Sequence, residues 1–152
     1  MILKLNVKFN LIIITSTILI LDQTTKYIIT NNIDNIKFNN LILFSIELVK
    51  NYGAAFNILS NNRLFLSLIS IISSIIIILV LLKNKRINII DSYGLSFILG
   101  GSIGNGIDRV IYGYVIDFIN LNFINFPVFN IADISINIGF LLILYNLLKK
   151  KE

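Results

Sequence analysis

Three aspartates, Asp22, Asp108 and Asp133, stand in or at the ends of long apolar stretches, where a bilayer makes a carboxylate expensive. A charge at a membrane centre costs at least about 2.5–3.5 kcal/mol, so such residues usually face a protein interior and have a task. The 152-residue chain has no His and no Cys. That excludes Ser-His-Asp and Cys-His catalysis, disulfides, and imidazole or thiolate metal sites. Polar chemistry is left to carboxylates, Lys, Tyr, Ser and Thr. Two carboxylates a few ångströms apart cannot both ionise, so one keeps a proton while the other is a base. Such a pair can take a proton from water, direct the water at an amide carbonyl and protonate the leaving amine. The bland alternative is a set of helix-terminal caps at a membrane interface, where Asp is tolerated. Spacing alone does not separate the two.

The elements that must position these residues are apolar. The chain is 56% hydrophobic and 14% charged, against about 25% charged in soluble domains. Ile and Asn are so abundant that a single one carries little weight, so Gly, Asp, Arg and Pro are weighed more heavily. Four stretches approach the roughly 20 residues of a spanning helix: about Phe9–Ile29, Leu64–Leu82, Ile89–Ile107 and Ile131–Leu148. The reading is a membrane all-α protein, one domain over 1–152, with four transmembrane helices and a small extracytoplasmic β element. Lys4 and Lys8 precede a short apolar core as in a secretory signal, but no small-residue cleavage site follows. The segment is read as a retained first helix. Lys4, Lys8, Lys83, Lys85, Arg86 and Lys149–Lys151 then fall on one side, which predicts both termini in the cytoplasm. The net charge of +5 follows from this topology and from anionic lipid headgroups, with no nucleic-acid partner. Helix direction alternates, so Asp22, Asp108 and Asp133 come to one level, near the outer face.

The longer connections, about 30–63 and 108–130, hold strand-like runs at Ser45–Lys50 and Tyr112–Ile119, with Asn-rich turns expected around Asn31, Asn39 and Asn61. Pro127, the only proline, disfavours helix at Phe126. Four glycines, Gly100, Gly101, Gly104 and Gly106, precede Asp108, which permits close helix approach or a departure from helix. Arg109 could hold a carboxylate or backbone carbonyls, or snorkel to phosphate. Asn130 could cap the fourth helix or belong to a site.

Five motifs occur in order: Asp22-Gln23-x-x-Lys26, Asn51-x-Gly53-Ala54-Ala55-Phe56, Gly100-Gly101-x-x-Gly104-Asn105-x-x-Asp108-Arg109, Val115-Ile116-Asp117-Phe118, and Phe129-Asn130-x-Ala132-Asp133-x-x-Ile136. Together they resemble the bacterial lipoprotein signal peptidase family (signal peptidase II) from the first helix to the last. The resemblance implies an intramembrane aspartic endopeptidase of the bacterial inner membrane. It would remove signal peptides from prolipoproteins, cutting before a diacylglyceryl-modified Cys of the substrate, without metal or organic cofactor. It implies Asp108 and Asp133 as the catalytic dyad. Asp22, Lys26, Asn51, Gly53, Asn105, Arg109 and Asn130 would support the site or bind substrate. A monomer with its active site near the extracytoplasmic face is expected. Tyr52, Asn57, Gly106 and Ile134 depart from residues common in the family, and none removes a carboxylate or a site Asn. A small transporter would more often show mid-membrane charges and inverted halves, and a scaffold has no reason to gather three aspartates at one depth.

Overall fold

A computed structural model of the chain describes residues 2–32, 43–54, 58–60, 62–83 and 87–150, with side chains from Leu11 onward in the first segment. The side chains of Lys4 and Lys8, and the residues Asn39, Asn57, Asn61, Lys85, Arg86 and Lys151, lie outside the described residues. In chain order the elements are α1 (Ile2–Asn32), β1 (Phe44–Asn51), α2 (Arg63–Lys83), α3 (Ile89–Ile111), β2 (Val115–Leu121) and α4 (Ile131–Lys149). Among the described residues three helical segments are long and apolar enough to cross a membrane: Leu11–Asn32, Arg63–Lys83 and Ile131–Lys149. Helix α3 is not one of them, although it has 23 residues. It carries Asp91, Asn105, Asp108 and Arg109 and is the central helix, packed against α1, α2 and α4. Helix α2 is at the rim, with Leu64, Phe65, Leu68, Ile72 and Leu82 more than half exposed, as suits a surface turned to lipid rather than water.

Small residues bring α3 and α4 together. A Cβ on Gly94 would lie 2.7 Å from the carbonyl oxygen of Gly139, and one on Gly101 would collide with the carbonyl oxygen of Ala132. The two backbones therefore touch, a mode of helix association suited to an apolar solvent. At the far end of α3, Arg63 donates from Nε to the Arg109 carbonyl at 3.0 Å and from Nη2 to that of Val110 at 2.6 Å. Arg63 thereby supplies a donor to the Val110 carbonyl and a second one to that of Arg109, which also accepts from the Gly113 N–H at 3.2 Å. Gly113 follows at φ +87°, a left-handed backbone that suits glycine, and turns the chain into β2.

Strands β1 and β2 pair antiparallel, with Phe44 opposite Leu121 and Asn51 opposite Val115, and a bulge between Ile46 and Val49. Ile119 and Phe129 form a further bridge, with N–H···O distances of 2.8 and 3.1 Å. This bridge folds the chain around Pro127 back onto β2, so that α4 starts beside the sheet. The small β element is thus present, with shifted bounds. Tyr112–Tyr114 cap α3 and form the turn rather than a strand. Asn31, expected in a turn, is helical and donates to the Tyr27 carbonyl at 2.9 Å. Asp108 lies within α3, not beyond its end, because the helix runs on to Ile111.

Candidate functional site

The N-terminus of α4 is held by a capping box. Asn130 Oδ1 accepts from the Asp133 N–H at 3.0 Å, and Asp133 Oδ2 accepts from the Asn130 N–H at 3.2 Å. The Asn130 amide group then donates to Asp117 Oδ1 at 2.7 Å, to Asn105 Oδ1 at 3.0 Å and to the Ile116 carbonyl at 3.2 Å. Asn130 is therefore both cap and site residue. Asn105 donates from Nδ2 to Asp133 Oδ1 at 2.8 Å, and Asn51 donates from Nδ2 to Asp117 Oδ2 at 2.9 Å. Arg109 reaches the Gly53 carbonyl at 3.1 Å with Nη2 and the Asn105 carbonyl at 3.5 Å with Nη1. Of its three possible roles the guanidinium takes the second, tying β1's exit to α3.

All of these side chains but the buried Asn130 line one cavity of about 520 Å³. Asn51, Asn105, Arg109, Asp117 and Asp133 supply its polar end. Ile134, Ile138 and Leu141 continue it down one face of α4, reaching about 12 Å from Asp133 at a rise of 1.5 Å per residue. Asp117 is 1% exposed. Burial, and then the charge of Asp133, push its carboxyl up to about 7 from 3.8, against the hydrogen bond from Asn51, the charge of Lys26 and the hydrogen bond from Asn130. Asp117 and Asp133 thus face one cleft, each held by amide donors, and the charge of one is felt at the other.

The folded state holds a proton on Asp117 that an unfolded chain releases between about pH 4 and 7. A raised carboxyl pKa gives stability that is full at low pH and falls as pH rises through about 7. Thermal unfolding in detergent across this range is expected to show a steeper fall for the wild type than for Asp117→Asn. Parallel curves would contradict the buried-proton reading.

The other expected site residues form a second cluster. Lys26, 2% exposed, lies 2.8 Å from both Asp22 Oδ2 and Asp108 Oδ2, and donates to Asn105 Oδ1 at 3.0 Å. Asp108 also accepts from Gln23 Nε2 at 3.0 Å and the Ile116 N–H at 3.1 Å. Asp22 Oδ1 accepts from the Ala132 N–H at 3.0 Å, locking α1 to α4. Asp108 lines a separate cavity of about 220 Å³ with Gln23, Lys26 and Tyr27. The structure thus gathers all the expected residues at one end of the bundle but does not place Asp108 and Asp133 on the same cleft. Asp117 and Gln23 had been given no role. An Asp flanked by Val115, Ile116 and Phe118 in a strand was the available signal for Asp117. Among the described residues no group of three or more His, Cys, Asp or Glu is arranged to hold a metal ion.

Apolar helices around a carboxylate-lined cleft define a multi-pass membrane protein with a built polar site. The family described as signal peptidase (SPase) II matches residues 14–149, and the chain belongs to that family of peptidases. A lipoprotein signal peptidase of Enterococcus faecalis is 39% identical over 142 residues, 91% of this chain and 88% of the relative. One from Wigglesworthia glossinidia brevipalpis is 42% identical over 146 residues, covering 91% and 93%. A bacterial membrane enzyme solved by the in meso method at 2.3 Å resolution superposes with a TM-score of 0.84 at 37% identity, covering 94% of this chain and 90% of that one. A second, at 1.9 Å, gives 0.78 at 38% identity, covering 92% and 93%.

Proposed function

We propose that the chain is an intramembrane aspartic endopeptidase that removes signal peptides from diacylglyceryl-modified prolipoproteins, cutting before the lipidated Cys. The observation that carries the reading is that Asp117 and Asp133 line one cleft and are bridged by Asn130. In the proposed step the ionised carboxylate takes a proton from water as the water oxygen bonds to the amide carbon. The protonated carboxyl donates to the carbonyl oxygen, and the C–N bond then breaks as the amine takes up a proton. The pair titrates as a unit. The names of the relatives support the lipoprotein substrate, and the apolar face of α4 suits a signal segment lying in lipid.

The dyad proposed here replaces the Asp108–Asp133 pairing expected from the sequence. Asp108 is already engaged by Lys26, Gln23 and the Ile116 N–H, so it is assigned with Asp22 and Lys26 to holding the site together. Asn51, Gly53, Asn105, Arg109 and Asn130 orient the dyad and the cleft wall. In this reading all four helices span the bacterial inner membrane and both termini are cytoplasmic. The sheet then covers the site on the outer side, the protein works as a monomer, and no cofactor enters.

Purified protein in detergent, incubated with a lipidated precursor, should release the signal peptide and leave a product whose first residue is the modified Cys, read by mass spectrometry. An intact precursor, or cutting elsewhere, would overturn the assignment.

A further inference from the structure

The main cleft has a second opening. A cavity of about 460 Å³ shares Asn51, Asp117, Pro127 and Val128 with it and is completed by Val49, Lys50 and Tyr52. None of these residues belongs to a helix. The two cavities therefore meet at Asp117, one running along α4 and the other leaving through the sheet. A substrate cut at Asp117 must have one chain end on each side. Its apolar signal segment suits the α4 side, with Ile134, Ile138 and Leu141. The mature protein must return to water, and the sheet-side cavity, lined by no helical residue, leads away from the helices.

We infer that this sheet-side cavity is the exit groove for the residues that follow the cut bond, and that Lys50 at its rim favours acidic over basic side chains there. The inference rests on the proposed peptidase reading. Lys50 is exposed, and its Nζ lies 5.2 Å from the centroid of the Tyr114 ring. Tyr114 is in turn packed at 5.4 Å against Tyr52 and 6.1 Å against Tyr112. A cation resting on a ring face is held without losing its charge, so Lys50 is pre-positioned rather than free to sweep through solvent. Asp117 and Asp133, which hold one negative charge between them in the proposed dyad, make the inner end of the groove negative, which keeps an acidic substrate side chain at the outer rim, beside Lys50.

The test uses two lipidated precursors that differ only in the two residues after the modified Cys, Asp-Asp in one and Lys-Lys in the other. Cleavage is measured in uncharged detergent. Their kcat/KM ratio is internal to each protein, so differences in folded fraction cancel. Wild type is expected to favour the acidic precursor by about two- to fivefold, the range of an exposed charge pair, with the preference shrinking as salt rises. Lys50→Gln should abolish the preference and Lys50→Glu should reverse it. An unchanged ratio in all three proteins would overturn the inference while leaving the peptidase reading intact. No cutting of either precursor by the wild type would overturn both.

Discussion

Asp117→Asn is expected to remove precursor cleavage, lowering the rate by about 10²–10⁴-fold, the contribution of a positioned acid or base. Asn has nearly the shape of Asp but cannot give or take the proton. The substitution also disturbs the local hydrogen bonds. Both Asn51 Nδ2 and Asn130 Nδ2 donate to the Asp117 carboxyl, and an amide offers only one oxygen to the two donors. Asn51 is not free to turn over, because its Oδ1 already accepts from the Gly53 N–H at 2.9 Å. One donor is therefore left facing a donor, at about 1–3 kcal/mol. Rates are accordingly compared per folded molecule, with folding read from thermal unfolding in detergent. A variant that is folded and cleaves normally would remove Asp117 from the dyad.

The largest loss of stability is expected at Lys26. Its ammonium is the shared cation between Asp22 and Asp108, at 2.8 Å from each, and all three side chains are at most 2% exposed. Lys26→Met leaves two buried carboxylates facing one another with no counter-charge. Removing one member of a buried ion pair destabilises by about 3–5 kcal/mol, and a shared partner puts this site at the upper end. Because Lys26 also donates to Asn105, which holds Asp133, the proposed dyad loses support as well. Adding Asp22→Asn and Asp108→Asn to Lys26→Met removes both orphan charges and should recover part of the lost unfolding temperature. A Lys26→Met protein that unfolds like the wild type would show that the triad is not what holds α1 to α3.

The sequence made the bundle and its polar end legible for physical reasons. Apolar runs long enough to span a membrane are hard to mistake, and the glycines of α3 announced the close packing that Gly94, Gly101 and Gly139 display. Asp22 and Lys26 stand one helical turn apart in the first motif, a spacing that permits the ion pair they form. The place of Asp117 on the cleft was not legible. An argument from membrane depth selects carboxylates on helices, whereas Asp117 rides on a short strand folded back over the helix ends by the Ile119–Phe129 bridge. The strand's placement also depends on its pairing with β1, far away in sequence, which hydropathy does not register. The surroundings of Asp108 were not legible for the complementary reason. Its neighbours in sequence look like a site, while the partners that occupy it, Gln23 and Lys26, lie on another helix.

The central claim is that Asp117, and not Asp108, shares the catalytic cleft with Asp133. Asp108→Asn keeps an oxygen for Lys26 and the Ile116 N–H, and Asp22 still balances Lys26. The new amide faces Gln23 Nε2, which is also committed to Asp22 Oδ2 and the Gly104 carbonyl, so the variant is compared per folded molecule. The deciding measurement is the single-turnover cleavage rate of a lipidated precursor by Asp117→Asn, Asp133→Asn and Asp108→Asn, each normalised to folded protein. The account predicts that the first two fall together by about 10²–10⁴-fold and that Asp108→Asn retains most of the wild-type rate. Loss of cleavage in Asp108→Asn, with Asp117→Asn still active, would contradict it.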